Sequence, residues 1–126
     1  MSASLERLTL TVSEIAGEQL TMAVSYAAGW GQLRIQAWFW PSDFTDFMHQ
    51  LRELYNSLTG QAVLKPRYGE ECVLTLRVDH LGRIDGTIHL EYLEDRFDGV
   101  FQCDQSYLPD FLSDLQTMWT QATINS

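Results

Sequence analysis

The chain contains an internal repeat, and this repeat constrains the fold more than any single motif does. The stretch Leu8–Val12 returns as Leu74–Val78, and Pro41–Met48 returns less literally as Gln105–Leu112. In each copy, three strand-like stretches come first and an amphipathic helix follows. The repeated positions are apolar or belong to turns, and no reactive group is repeated. The pattern therefore predicts two similar packed units without pointing to a chemistry.

Apolar and polar residues alternate before each helix, which is the period of a half-buried strand. The alternation predicts the six strands Leu8–Val12, Leu20–Tyr26, Gln32–Trp40, Cys72–Asp79, Ile84–Tyr92 and Phe97–Asp104. Pro41 ends the third strand, because proline donates no hydrogen bond to a neighbouring strand. In the fifth strand, Ile88, Leu90 and Tyr92 are expected to face the core.

Apolar residues at spacings of three and four mark two helices, each with a stripe wide enough to lie on a sheet. Short polar side chains favour helix N-caps, so the helices are expected to begin at Ser42 or Asp43 and at Ser106. The stripes comprise Phe44, Phe47, Met48, Leu51, Leu54, Tyr55 and Leu58 in the first helix, and Leu108, Phe111, Leu112, Leu115, Met118, Trp119 and Ala122 in the second.

These elements predict an α+β fold built from two tandem β-β-β-α repeats. Each repeat has one apolar sheet face and one apolar helix face, so neither buries its surface alone. We therefore expect one antiparallel sheet of about six strands with both helices packed on one face. The whole chain, 1–126, is expected to be a single domain, with repeats over about 5–60 and 72–122. The linker 61–71 includes a possible short extended piece at Ala62–Leu64.

The net charge of −9 limits the classes of partner. Such acidity repels nucleic acid and anionic membranes and attracts basic proteins. The only cysteines, Cys72 and Cys103, form no close metal or redox motif. No apolar run is long enough to span a membrane, and the N-terminus lacks a signal peptide's apolar segment. The chain is expected to be cytoplasmic, with reduced and buried thiols.

No arrangement of reactive residues in the sequence indicates catalysis. Asp79 and His80 precede a glycine turn, where an aspartate is expected for conformational reasons. His89 and Glu91 share a strand face, but no third ligand follows at the spacing that zinc requires. We therefore expect no enzyme activity, no catalytic residue, no metal and no cofactor.

Two surface features remain as candidates for binding a partner. One is the pair Trp38 and Trp40, placed by alternation away from the helices, since tryptophan often anchors interfaces. A loop such as 61–69 folded over these rings is the competing explanation. The other feature is an acid-rich belt that would steer a basic partner, although a merely solvated hairpin explains it equally well. Its candidate contact residues are Glu91, Glu94, Asp95, Asp98 and Asp104.

Several motifs resemble bacterial immunity proteins of the WapI type, which act against polymorphic toxins. The similar segments run from Asp43 to Leu51, from Thr59 to Ala62 and from Leu74 to Ile84. The strongest similarity is the ending from Phe101 to Leu108, followed by an amphipathic helix. The resemblance extends from about Trp30 onward, and its motifs mostly maintain the fold.

The resemblance implies an immunity protein that binds and neutralises the toxic C-terminal domain of a secreted bacterial toxin, one to one and without catalysis. Such a toxin domain is expected to be basic. Two other classes remain open, with the chain as a monomer or a homodimer. It could be a non-enzymatic homodimeric assembly module that buries Trp38 and Trp40. It could also be a small-molecule-binding domain with a pocket lined by Trp30, Tyr68, His89 and Glu91.

Overall fold

In a computed structural model, which describes residues 2–124, four strands precede a long helix in each half of the chain. Positions 1, 125 and 126 of the expected domain lie outside the described residues. The first half comprises β1 (Ala3–Leu5), β2 (Leu8–Ala16), β3 (Gln19–Ala28), β4 (Gly31–Phe39) and α1 (Pro41–Ser57). The second comprises β5 (Gln61–Leu64), β6 (Cys72–Val78), β7 (Ile84–Tyr92), β8 (Asp95–Cys103), a 3-10 turn (Gln105–Tyr107) and α2 (Leu108–Ile124). The six predicted strands are present. The short strand β5 corresponds to the extended piece expected at Ala62–Leu64, whereas β1 was not predicted.

The expectation of a single six-stranded sheet is wrong. The strands form two separate four-stranded antiparallel sheets, β1-β2-β3-β4 and β5-β6-β7-β8, each in sequence order. Alternation reveals which face of a strand is apolar, but it does not reveal which strand edges pair. The edge strand β4 carries the exposed residues Arg34 and Gln36, and the edge strand β8 carries Asp95, Arg96 and Asp98. Charged side chains on an edge oppose further strand pairing.

The placement of both helices on one face of one sheet is also wrong, because each helix packs on the sheet of the other repeat. Helix α1 contacts β5 and β6, helix α2 contacts β1 and β2, and the two helices contact each other. Phe44 of α1 stacks on Trp119 of α2, with ring centroids 5.9 Å apart. This exchange joins the apolar faces of both repeats into one continuous core.

The burial of side chains confirms most of the predicted apolar pattern, but the end of β7 and the start of α1 differ from the prediction. Met22, Val24 and Tyr26 of β3 are buried, as the alternation predicts. Tyr92 is 67% exposed, and its predicted place in the core is wrong, because β7 extends past the core to its turn. Helix α1 begins earlier than expected, and the Asp43 carboxylate accepts a hydrogen bond from the backbone N–H of Trp40 at 2.9 Å.

The two sheets meet where β3 approaches β8. The ring of Tyr26 lies 5.5 Å from that of Phe97 and 6.3 Å from that of Phe101, measured between centroids. The Tyr26 hydroxyl donates a hydrogen bond to the Val100 carbonyl oxygen at 3.1 Å. This contact brings the β3–β4 turn of the first sheet close to the β7–β8 hairpin of the second.

Candidate functional site

The β7–β8 hairpin gathers four of the five predicted acidic contact residues at one end of the second sheet. Tyr92 pairs with Asp95, Glu91 with Arg96, and His89 with Asp98, so the turn itself is Leu93 and Glu94. Glu94, Asp95 and Asp98 are exposed, and Glu91 is partly buried. Arg96 lies 3.4 Å from Glu91 and offsets one of the four negative charges. We call the segment Glu91–Asp98 the acidic hairpin.

Asp104, the fifth predicted acidic residue, lies beyond the opposite end of β8. Its carboxylate accepts a hydrogen bond from the backbone N–H of Ser106 at 2.8 Å and caps the 3-10 turn. That backbone hydrogen bond lowers the pKa of the Asp104 carboxyl. Asp104 thus has a local structural role and does not belong to the acidic hairpin.

His89 connects the two strands of the acidic hairpin through its imidazole ring. The distance from Nδ1 to Asp98 Oδ1 is 2.5 Å, and that from Nε2 to Glu91 Oε1 is 3.4 Å. The hydrogen bond to Asp98, with that to Glu91, raises the pKa of His89, and burial opposes the shift. When it is protonated, the ring is a charge partner for both carboxylates.

Glu70 joins this region from the loop before β6, which the spacing of residues in the sequence did not reveal. The ligand atoms of Glu70, His89 and Glu91 lie within 4.8 Å of one another, a separation that a metal ion could bridge. Glu70 already has Lys65 at 3.9 Å, Glu91 has Arg96 at 3.4 Å, and His89 is hydrogen-bonded to Asp98. Both carboxylates of the group therefore already have a cationic partner within the chain.

The raised pKa of His89 predicts a pH-dependent stability. Folding favours the protonated ring. Its contribution to the free energy of unfolding is therefore fully present below the ordinary pKa of 6.5 and is lost as the pH rises through the pKa of the folded state. We expect the stability advantage of the wild type over His89→Gln, measured by denaturant unfolding, to be larger near pH 5.5 than near pH 8.5. Asp98→Asn should lower the His89 pKa measured by NMR. An advantage that stays constant with pH would contradict the assignment.

Trp38 lies on β4 of the first sheet and Trp40 directly precedes α1, whereas the acidic hairpin belongs to the second sheet. Trp38 is 50% exposed on β4. Trp40 is the residue before α1 and is partly covered by the linker, as the competing explanation proposed. The Arg67 guanidinium lies 4.0 Å from the centroid of the Trp40 ring, and the Tyr68 ring lies 6.4 Å from it. These side chains line an open cleft of about 340 Å³.

Sequence reasoning missed the most exposed aromatic residue of the first sheet as a candidate contact. Trp30, in the β3–β4 turn, is 75% exposed, and its ring lies edge-on 6.2 Å from Phe97 of the second sheet. A tryptophan between Gly29 and Gly31 in a turn is a signal that was available in the sequence. Trp30 and Tyr68 were both proposed to line one small-molecule pocket. In the structure the Trp30 ring lies against Phe97, whereas the Tyr68 ring lies against Trp40.

Both cysteines are free and buried, as expected. Burial raises the pKa of the Cys72 thiol to about 12 and that of the Cys103 thiol to about 11. Both therefore stay protonated at neutral pH and are poor nucleophiles. Among the described residues, none of the helices combines the length and the apolar character needed to cross a membrane.

Comparison with known proteins identifies the family. A solved structure described as that of the plant transcriptional regulator PBF-2 aligns with a TM-score of 0.50 over 99% of this chain and 85% of that chain. At 8% sequence identity, this likeness concerns the fold alone. No curated protein sequence matches the chain. The family model described as "Immunity protein WapI-like family" matches residues 8–122. The chain therefore belongs to the WapI-like family of immunity proteins.

Proposed function

We propose that this protein binds the toxic C-terminal domain of a secreted bacterial toxin one to one, within the cytoplasm, and blocks its action without catalysis. Membership in an immunity protein family supports this proposal. The observation that carries it is the acidic hairpin, which presents Glu94, Asp95 and Asp98 to solvent on a protein of net charge −9. A concentrated negative charge accelerates the association of a basic partner and orients it.

The test of this function is capture of the partner from the cell that makes the protein. The tagged chain is used as bait, and bound proteins are identified by mass spectrometry. Recovery of the end of a large secreted protein, followed by loss of that domain's toxicity when one equivalent of the chain is added, is the expected result. A captured domain that stays toxic would contradict neutralisation. A chain that captures nothing and self-associates in light scattering would favour the assembly module.

Reversal of the hairpin charge should slow toxin binding. We expect the double variant Glu94→Lys, Asp95→Lys to associate with the captured toxin domain about tenfold more slowly at low salt, because steering by local charge is lost. This difference should shrink at high salt, where exposed charges are screened. Stopped-flow fluorescence measures the association rate.

A matched control separates the hairpin from the overall charge. The double variant Glu53→Lys, Asp114→Lys makes the same change in net charge at exposed positions on α1 and α2. Its association rate should fall much less than that of the hairpin variant. Equal rates for the two variants would show that net charge, and not the hairpin, governs association.

A further inference from the structure

We infer that the toxin contact of the proposed function is anchored by an apolar group consisting of Tyr92 and Leu93 of the acidic hairpin and Trp30 of the adjacent β3–β4 turn, and not by Trp38 and Trp40. This inference rests on the proposed function and names the surface that performs it. We call these three residues the apolar anchor. The corresponding partner is a basic protein domain with an apolar pocket ringed by lysine or arginine.

Strand geometry and one ring contact place Tyr92 and Trp30 near Phe97, and Leu93 follows Tyr92 in the turn. Tyr92 pairs with Asp95, and Leu90 pairs with Phe97. Because residues two apart on a strand share a face, Tyr92 lies on the same face of the hairpin as Phe97. The ring of Trp30 reaches that face from the other sheet and contacts Phe97 edge-on. Two turns that are far apart in sequence therefore form one surface.

Exposure of these three large side chains to water is energetically unfavourable. Trp30 is 75% exposed, Tyr92 is 67% exposed and Leu93 is 88% exposed. Large apolar groups gathered at an exposed site and surrounded by polar residues are typical of protein interfaces. Tryptophan and tyrosine are the aromatic residues that most often contribute the main part of the binding energy there.

The backbone of Leu93 provides an independent argument. Its φ angle of 57° lies in the left-handed region, which glycine and asparagine adopt far more readily than leucine. A leucine at this position strains the turn and buries almost nothing within the chain. A residue that disfavours both folding and solubility is expected at a position where it contacts a partner.

Charge favours a basic partner at the apolar anchor more than at the cleft of Trp38 and Trp40. The apolar anchor adjoins Glu94 in the turn and Asp95, which pairs with Tyr92, and both acidic residues are exposed. The cleft is lined by the acidic Glu18 as well as the basic Arg67, and the Arg67 guanidinium already lies over the Trp40 ring. A lysine or arginine from a partner would have to compete with Arg67 for that ring. The same partner would find complementary charge around Leu93.

The experiment replaces two exposed tryptophans of the first sheet in turn and compares the affinities of the variants for the toxin domain captured by the wild-type chain. We expect Trp30→Ala to weaken binding about thirtyfold by calorimetric titration, as a hot-spot residue does, and Trp38→Ala to weaken it less than about threefold. Thermal unfolding of each variant checks that the loss of affinity is not a loss of folding.

Leu93→Gly keeps the test informative even if Trp30→Ala is destabilised. Glycine relieves the left-handed strain, so this variant should fold at least as well as the wild type while binding about fivefold more weakly. If Trp38→Ala costs more affinity than both Trp30→Ala and Leu93→Gly, this inference is overturned while the proposed function stands. If no toxin domain binds the wild type, the proposed function itself fails, and the inference fails with it.

Discussion

Phe47→Ala is expected to lower the free energy of unfolding by about 3–5 kcal/mol, one of the largest effects of a single substitution in this chain. Phe47 is fully buried on α1, which packs against β5 and β6 of the other repeat. Removal of the ring leaves a cavity at the contact that holds the two repeats together. Denaturant unfolding, followed by circular dichroism, measures the loss.

Tyr55→Ala on the same helix is the matched control. Tyr55 is 37% exposed, whereas Phe47 is fully buried, so truncation of Tyr55 should cost clearly less than truncation of Phe47. A near-neutral result for Phe47→Ala, or equal losses for both variants, would show that α1 does not fill the space over the second sheet.

Gly86→Ala is expected to destabilise the protein by about 1–3 kcal/mol, although alanine normally suits a strand better than glycine does. An added Cβ at this position would overlap with Cζ of Phe101, the nearest of three ring carbons that it would meet. Gly86 and Phe101 pair directly across β7 and β8, and the ring occupies the space above the glycine. Thermal or denaturant unfolding measures the effect.

Two further variants isolate the cause. Gly29→Ala should change stability by less than about 0.5 kcal/mol, because an added Cβ there has no atom within 4 Å. Addition of Phe101→Leu to Gly86→Ala should recover part of the loss, with a coupling of at least about 0.5 kcal/mol. Strictly additive effects would show that the ring does not fill the space above Gly86.

The acidic hairpin could be predicted from the sequence because its residues are close together along the chain. A hairpin places Glu91, Glu94, Asp95 and Asp98 at one end of a sheet whatever that sheet packs against. The partial cover over Trp40 was only one of two alternatives that the sequence left open, because Arg67 comes from a linker whose path alternation does not describe. The proximity of Trp30 to Phe97 was equally hidden, since it depends on how two sheets meet.

The secondary-structure elements of this fold could likewise be predicted from the sequence, whereas their arrangement could not. The sequence by itself determined the repeat, the six main strands, the two helices and the family motifs, because alternation and helical spacing are properties of neighbouring residues. Only the tertiary structure decided that the strands form two sheets, that each helix crosses to the other repeat and that Trp30 lies against the acidic hairpin. Those features depend on which strand edges and apolar faces meet, and that choice is made by contacts between residues far apart in the chain.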